Sequence, residues 1–551
     1  MRRLPRAALL LFCLAYVVPG FLGRDPWKNV DIASFGHMFE LARGVSSWWA
    51  PTLVGQPPEF DAFLPYWIGA WAIRVAPAWL APDLAVRIPF ALLLALTLVA
   101  TWYGVYGLAR SPQAQPVPFA FGGEAHPKDY ARAMADGGLL ALIACLGLAQ
   151  LSHETTPALA QVAFTTLTFF ALAALPWRPA IAAVALLVGL PGLALSGGAS
   201  MAVLFGAGGM ALAALCRRYD VEGGRTTAAL QVAIVGLALA LTIGVATTFD
   251  LWRWRINLAA VEGEWRTLLR LMVWFTWPAW PLALWTLWRW RRQLGSRHVA
   301  LPLWFVVVSV GATWTTPSSD RSLLLGLPAL AALAAFALPT LQRSVSALID
   351  WFTLLFFSGC ALVIWVVWTA MQTGVPAKPA ANVARLAPGF VPSFSLAAFL
   401  AAVAATVAWA WLVRWRTGRH RMVIWKSLVL PAGGAALCWL LLMTLWLPAL
   451  DYARSYRTLV AGVLRAMGPR PACVEVLGLS QSQIAALRFH GNLDVRIAGR
   501  DSACPWLLVT PEAAAAVGVI ADAGRWQRVA IVRRPVDTKE NLVLYRKVAR
   551  P

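Results

Sequence analysis

The sequence predicts an all-α polytopic membrane protein of about thirteen transmembrane helices, followed by a small α/β domain at its carboxyl end. Of its 551 residues, 60% are hydrophobic and only 13% are charged. Globular proteins are roughly half apolar and a quarter charged. Many of the 30 tryptophans stand near the ends of apolar runs, where their rings anchor at the level of the lipid headgroups.

Apolar runs that approach the roughly twenty residues of a membrane span divide most of the chain. The first run, Ala7–Phe21, follows three arginines and lacks a clear small-residue cleavage site, so we predict an uncleaved first helix. The predicted spans begin near residues 5, 87, 137, 158, 179, 199, 226, 268, 299, 322, 347, 393 and 422.

The basic residues predict the topology. The formal net charge is +22, but the arginines cluster between apolar runs, as in Arg289–Arg297 and Arg414–Lys426. This is the positive-inside pattern of membrane proteins, so we predict membrane lipids and no nucleic acid as partners. We therefore predict a multi-pass protein of the bacterial inner membrane, with a cytoplasmic amino terminus and a periplasmic carboxyl-terminal domain.

Two domains follow from this topology. Residues 1–450 are the predicted transmembrane module, with residues 23–86 as a first periplasmic loop, and residues 451–551 are the periplasmic domain. In the first loop, the apolar stretch Ala62–Leu80 is interpreted as a helix in the membrane interface, because two spans here would invert every later loop. Residues 250–270 and a Pro-rich loop at 374–393 are also predicted to be periplasmic.

In the carboxyl-terminal domain, short β-rich runs alternate with Ala-rich helical stretches, which is typical of an α/β unit. The last two strands are read as a hairpin. Cys473 and Cys504 each precede a candidate strand, and parallel neighbours would bring their Cα atoms within bridging distance, so we predict a disulfide. The alternative is two buried thiols. The predicted strands are Cys473–Leu477, Leu493–Ile497, Trp506–Thr510, Arg528–Val532 and Leu542–Tyr545, and the helices are Ser482–Phe489 and Pro511–Ala523.

The sequence contains no P-loop and no GxGxxG, GxSxG or HExxH motif, and it has no cysteine–histidine spacing typical of zinc sites. The polar residues of the predicted periplasmic loops are the remaining candidates for chemistry. In the first loop these are the acids Asp25, Asp31, Glu59 and Asp61. We expect Asp25 to be an exposed carboxylate at the membrane surface.

Several short segments together resemble the GT-C superfamily of membrane glycosyltransferases. The likeness is to the branch that contains lipid A aminoarabinose transferase and the protein O-mannosyltransferases. Where that branch has an acid-Lys-Pro-Pro segment before a Tyr-Trp pair, this chain has Glu59-Phe60-Asp61, so the family role is open between these two acids. The matching segments are Asp25 with Asp31, Pro57–Trp67, Arg87-Ile88-Pro89, Asp320–Leu330 and Leu445–Pro448.

The resemblance implies inverting transfer of a sugar from a polyprenyl-phosphate donor to lipid A, another glycan or glycolipid, or protein. A carboxylate can act as general base or orient the acceptor, and arginines can hold the leaving phosphate. The predicted catalytic residues are therefore Asp25, Asp31, Glu59 and Asp61. The predicted donor-phosphate ligands are Arg87, Arg321, Arg253 and Arg255.

Some roles keep alternatives. Asp31 would instead cap its helix or orient Arg24 or Lys28, and Arg253 and Arg255 would instead pack in the membrane interface. No cofactor is identified, and a requirement for a divalent metal is left open.

Two other classes of function compete with a transferase. A lipid or glycolipid transporter or flippase would carry charges in the middle of its spans, where this sequence has very few. A noncatalytic envelope-assembly protein would use its periplasmic domain to bind a partner. The acids and arginines on the predicted outer side favour the enzyme.

Overall fold

The computed structural model describes residues 5–115, 126–215, 227–252, 265–315, 319–417, 424–499, 504–517 and 526–548. The chain forms two compact units, each assembled from separate stretches of sequence. The first comprises Met1–Phe21, Phe90–Val363 and Ala397–Thr444, and the second comprises Leu22–Pro89, Ile364–Leu396 and Leu445–Pro551.

Helices make up most of the described chain. The first eleven are α1 (Arg6–Phe21), α2 (Val30–Ala42), α3 (Leu64–Val75), α4 (Pro82–Ala109), α5 (Pro127–Ala144), α6 (Leu148–Leu151), α7 (Pro157–Ala174), α8 (Pro179–Leu193), α9 (Ala199–Leu215), α10 (Ala228–Thr248) and α11 (Trp265–Phe275). The others are α12 (Ala279–Arg289), α13 (Arg297–Thr315), α14 (Ser319–Leu324), α15 (Leu327–Ala337), α16 (Arg343–Thr373), α17 (Ala377–Leu386), α18 (Leu396–Thr417), α19 (Lys426–Leu445), α20 (Leu447–Arg454), α21 (Arg457–Met467) and α22 (Gln481–Phe489).

The predicted polytopic membrane fold is confirmed. Within the described residues, eight helical stretches are long and apolar enough to cross a membrane, and α1 and the Leu327–Thr340 stretch are shorter apolar helices. One of the eight, Pro179–Leu215, bends at Gly197, whose φ of 84° separates α8 from α9. The number of thirteen spans stays a prediction.

Small residues allow close helix contacts in the first unit. A Cβ at Gly208 of α9 would lie 2.0 Å from the indole nitrogen of Trp304 on α13. That nitrogen donates a hydrogen bond of 3.0 Å to the Leu204 carbonyl oxygen. Gly208 therefore makes room for an indole that bonds directly to the backbone of α9, a use of small residues that is common between membrane helices.

The second unit joins stretches that the sequence analysis placed outside the membrane: the first loop, the 374–393 segment and the carboxyl-terminal residues. The predicted domain boundary at residue 450 stays a prediction. In the first loop, α3 has 12 residues. It is therefore about 18 Å long, too short for a bilayer core of about 30 Å. The 374–393 segment was predicted as a loop, but it contains α17, which has no buried residue and an exposed leucine at its end.

A five-stranded sheet confirms the predicted α/β character of the carboxyl-terminal residues. The strands are β1 (Val474–Leu477), β2 (Val495–Ile497), β3 (Trp506–Val509), β4 (Trp526–Arg534) and β5 (Asp537–Lys547), in the order β2-β1-β3-β5-β4. The β1 strand is parallel to β2 and β3, whereas β5 is antiparallel to β3 and β4. The last two strands are a hairpin, as predicted. A short 3-10 helix, Pro511–Ala516, takes the place of the predicted helix Pro511–Ala523 in the described residues.

The core of the second unit combines the sheet with the first loop. Ile32 of α2 and Leu53 are fully buried in one apolar cluster with residues of α21, α22 and the sheet. Close contact between α2 and α22 depends on Gly36, where a Cβ would lie 2.6 Å from the Cβ of Ala485. The first loop is therefore packed as part of this unit.

Cys473 and Cys504 form a disulfide in the structure, with their Cα atoms 5.3 Å apart. Each cysteine lies just before one of the parallel neighbours β1 and β3. The backbone N–H of Cys504 also donates to the buried carboxylate of Glu475 on β1, at 3.3 Å. The bridge thus joins the starts of two adjacent strands and closes a loop across 31 positions.

We expect the oxidised protein to yield a Cys473–Cys504 peptide pair in non-reducing mass mapping. Cross-linking a loop of this length stabilises a fold by about 3–4 kcal/mol in the chain-entropy description, so Cys504→Ser should lower the melting temperature. The matched control is Cys360→Ser, because Cys360 is a free, half-buried thiol. Alkylation of both Cys473 and Cys504 without reduction would contradict the bridge.

Candidate active site

The segment from Gly23 to Asp31 carries two of the predicted acids into α2. Gly23 has a φ of 71°, which favours glycine, and a Cβ there would lie 3.3 Å from the Leu447 side chain. Asn29, just before α2, has a φ of 70°, which asparagine tolerates better than most residues. Asp25 lies between these two positions and Asp31 just after the second, and the two acids are only 5% and 1% exposed.

Asp25 is enclosed by the connection between α20 and α21. Its carboxylate accepts a hydrogen bond of 2.8 Å from the Ser455 hydroxyl and forms an ion pair with Arg457. The expectation that Asp25 is exposed is wrong, because these two residues cover its carboxylate. Asp25 is therefore held in a fixed position by a hydroxyl and a guanidinium.

A second carboxylate, Asp451, lies beside Asp25. It accepts hydrogen bonds from the backbone N–H of Asp25, at 2.8 Å, and from the indole N–H of Trp27, at 3.1 Å. Burial and then the Asp25 carboxylate raise the pKa of Asp451 above its usual value. Two acids thus share one end of the site, although they are 426 positions apart in the chain.

Asp31 orients Arg24. Its Oδ2 accepts from the Arg24 guanidinium at 2.9 Å and from the backbone N–H of Trp27 at 3.0 Å. The Arg24 side chain is 2% exposed, and its guanidinium lies 4.6 Å from the centre of the Trp27 ring. Asp31 therefore orients Arg24, which is the alternative role that the sequence offered for this acid.

Arg87 lies in the same charged cluster. It is 3% exposed, donates a hydrogen bond of 3.0 Å to Asp83 within the first turns of α4, and interacts electrostatically with Arg24, Asp31 and Asp25. The two buried guanidiniums of Arg24 and Arg87 therefore repel each other, although each is paired with a carboxylate, Arg24 with Asp31 and Arg87 with Asp83. An anion would relieve this repulsion.

Glu59 and Asp61 precede α3 and lie near Tyr66. Glu59 is exposed and Asp61 is half-buried. Burial, then the Glu59 carboxylate and to a smaller extent Asp61 raise the pKa of Tyr66, whereas a hydrogen bond with Ser34 lowers it. Ser34 belongs to α2 and lies about one turn after Asp31. Glu59 and Asp61 are therefore close to α2, about one turn beyond the part of the helix that carries Asp31.

Two other residues of the second unit were missed by the sequence analysis as members of this cluster, Arg457 and His490. The Arg457 side chain is 69% exposed although it pairs with Asp25. His490 interacts electrostatically with Asp25, Arg457 and Asp83, and burial is the main cause that lowers its pKa. Its Nε2 atom is buried and has no hydrogen-bond partner within the described part of the chain. One feature of the sequence could have indicated Ser455 and Arg457. They follow the last predicted span closely, just as Asp25 follows the first.

Glu40 anchors the far end of α2. One carboxylate oxygen accepts from Arg488 at 2.7 Å, and the other accepts from the backbone N–H of Val54 at 3.0 Å. Glu40 is 1% exposed. The ion pair therefore fixes the first loop on α22, which ends just before His490.

The remaining predicted phosphate ligands lie elsewhere. Arg321 is half-buried on α14 and belongs to the first unit. Arg253 and Arg255 lie outside the described residues. Their roles stay predictions.

Among the described residues, no group of three or more His, Cys, Asp or Glu side chains is arranged to hold a metal ion. The cluster around Asp25 instead pairs each carboxylate with guanidinium, hydroxyl or N–H donors. Such an arrangement can bind an anion and accept a proton.

Comparison with known proteins shows which fold this is. No family model and no curated protein matches the chain. The chain is similar to the crystal structure of ArnT from Cupriavidus metallidurans bound to undecaprenyl phosphate, with a TM-score of 0.59, 14% identity and coverage of 99% of both chains. It is also similar to ArnT from the same organism in the apo state, with a TM-score of 0.58, 15% identity and coverage of 98% of both chains.

The likeness extends over nearly the whole length of both chains, including the carboxyl-terminal sheet. The predicted resemblance to the GT-C superfamily, in the branch of lipid A aminoarabinose transferase, is confirmed as a likeness of fold. At this level of identity it does not extend to individual residues.

We predict that Asp31→Asn lowers the stability of the protein substantially. Removing one partner of a buried ion pair leaves the other charge poorly compensated, at a typical cost of about 3–5 kcal/mol. The matched control is Asp537→Asn, because Asp537 pairs with Lys28 at 3.0 Å while both side chains remain about 30% exposed. Such surface pairs contribute about 0–1 kcal/mol. Melting curves in detergent should separate the two variants, and equal melting temperatures would show that the Arg24–Asp31 pair is not structurally important.

Proposed function

We propose that this chain is an integral-membrane glycosyltransferase that moves a sugar from a polyprenyl-phosphate donor to an acceptor. The observation that carries the proposal is the buried cluster of Arg24 and Asp25, which follow α1, with Arg87 of α4, in a chain similar in fold to ArnT. That neighbour was crystallised with undecaprenyl phosphate, which supports a lipid-linked donor.

The arginines supply the donor-phosphate site. Arg24 and Arg87 are nearly fully buried, lie within electrostatic range of each other and already face carboxylates that fix their positions. A lipid phosphate placed between them would accept further charge-assisted hydrogen bonds from both guanidiniums. Because the leaving phosphate gains charge as the bond to the sugar breaks, the same contacts would stabilise the transition state. Arg321 remains a further candidate ligand.

Asp25 supplies the base. It takes the proton from the acceptor hydroxyl, whose oxygen attacks C1 of the sugar while the bond from C1 to the phosphate oxygen breaks. The phosphate departs with the bonding electrons on the polyprenyl carrier. A single displacement of this kind inverts the configuration at C1. Arg457 is well exposed, so its guanidinium is free to move from Asp25 towards the incoming phosphate.

The acceptor is proposed to be lipid A, another glycan or glycolipid, or protein at the periplasmic face. A transporter or flippase is not favoured. Among the described residues, every ion pair in which one side chain is less than 5% exposed lies in the second unit. A transporter would need such charges within its spans, so this distribution supports chemistry outside them. The decisive experiment is single-turnover transfer from a radiolabelled polyprenyl-phosphate sugar by the purified protein, with release of polyprenyl phosphate as the second product.

We expect Asp25→Asn to lower turnover by about 10²–10⁴-fold, the usual cost of losing a general base. The amide keeps the size of the side chain and can still accept from Ser455. The variant should therefore remain folded. Because Asp25 is buried, we also expect a somewhat lower melting temperature than that of the parent protein. The control is Asp537→Asn, which removes an acid of the same unit outside the cluster. Near-full turnover by Asp25→Asn would move the role of base to Asp31, Glu59 or Asp61.

We expect alkaline phosphatase, which is active only in the periplasm, to be active when fused after Pro551. The basic loops otherwise face the wrong compartment. The control is the same enzyme fused after Gly295, within the predicted cytoplasmic cluster 289–297, which should be inactive. The reverse pattern would show that the number of spans before the carboxyl-terminal domain is even.

A further inference from the structure

The first unit contains an apolar groove that the proposed transfer reaction does not use. Its volume is about 380 Å³, which is within the roughly 300–1,000 Å³ of small-molecule sites. It lies between the start of α12, the first half of α16 and the start of α19. Its main lining residues are Trp277, Trp285, Leu348, Phe352, Phe357 and Pro431.

The lining offers a ligand almost no hydrogen bonds. Among the described residues, Thr353 is the single hydroxyl residue of the lining, and its hydroxyl already donates to the Ile349 carbonyl of its own helix. Leu348 is 68% exposed and Phe352 is 45% exposed, so the groove opens along the lipid-facing side of α16. A polar ligand would lose its hydration here without compensation, whereas a hydrocarbon chain would lose nothing.

Basic residues stand at one end of the groove. Arg343 is the exposed first residue of α16, and the lining residues Leu341 and Val345 flank it in the sequence. Lys426 is the first residue of α19, and the lining residue Leu428 follows it closely. A hydrogen bond of 2.7 Å between the hydroxyls of Ser346 and Ser427 holds these two helix starts together. Both cations are therefore at the same end of the groove.

Arg416 adds a further cation near this end. It pairs with Asp350 of α16 and interacts electrostatically with Lys426, whose ammonium lies 5.8 Å from the centre of the Trp415 ring. Asp350 offsets one of the three positive charges. The end of the groove therefore keeps a positive character that suits a phosphate.

We propose that this groove is a specific site for an anionic phospholipid, with one acyl chain between α12, α16 and α19 and the headgroup phosphate at Arg343 and Lys426. Hydrocarbon lining and a basic end match the two parts of such a lipid. The site is independent of the proposed transferase function, because it uses none of the residues assigned to the donor or the acceptor. By the predicted topology it would draw its lipid from the cytoplasmic leaflet.

The test uses the full-length protein in nanodiscs with phosphatidylglycerol that carries a photoactivatable diazirine in one acyl chain. We expect cross-links to peptides of α12, α16 and α19, competed by unlabelled phosphatidylglycerol and about fivefold less well by phosphatidylcholine with the same chains. Ile349→Trp, which fills the groove, should abolish these cross-links. Leu362→Trp is the matched control, because Leu362 is 64% exposed on the same helix and is not part of the lining.

The headgroup contact is tested separately. Arg343→Gln should reduce the preference for phosphatidylglycerol by about fivefold, whereas Arg270→Gln, at an exposed arginine of α11, should leave it unchanged. Val345→Phe provides a second groove-filling variant if Ile349→Trp fails to fold. Three results would overturn the proposal: cross-links spread evenly over the lipid-facing helices, equal competition by the two phospholipids, or displacement of the label by polyprenyl phosphate at lower concentration than by phosphatidylglycerol. The last result would assign the groove to the donor chain.

Discussion

The backbone of Asp25 donates to Asp451, and the carboxylate of Asp25 accepts from Ser455 and pairs with Arg457. These bonds join the segment that follows the first predicted span to the segment that follows the last. Charged groups are costly to bury unless they are paired and hydrogen-bonded, so each partner requires the others to be in place. These polar bonds hold the first loop in the position where Ile32 and Leu53 can pack in one apolar cluster with the sheet.

The same network pairs most charged side chains of the candidate site with a fixed partner. Asp31 holds Arg24, Asp83 holds Arg87, and Glu40 fixes the end of α2 on Arg488. Preorganised charges act on a developing charge without having to reorient during the reaction, which is the usual source of electrostatic catalysis. Arg457 is the exception, because most of its side chain is exposed. A paired cluster with one exposed cation would suit the anionic donor proposed above.

The sequence was sufficient for features that depend on local pattern. Runs of apolar residues predicted the membrane helices, and β-rich runs predicted the strands of the sheet, including the final hairpin. It was insufficient where distant residues meet. Asp451, Ser455 and Arg457 have no local motif, and their contact with Asp25 depends on how two ends of the chain fold together. For the same reason the sequence could not show that Asp25 is buried. Helix α17 was missed because Pro376 and Pro379 suggested a loop, although proline is well tolerated in the first turn of a helix.

The 426 positions between Asp25 and Asp451 also determine the order in which the protein can be completed. A ribosome that adds roughly 5–20 residues per second needs on the order of 20–90 s to reach the second partner after the first has emerged. During this time Arg24 and Asp31 can already pair, but Asp25 has neither its hydroxyl nor its guanidinium partner. The first loop must therefore wait at the membrane surface, solvated and without its core, until the sheet is made. A nascent chain thus carries no assembled Asp25 cluster while its membrane helices are being inserted.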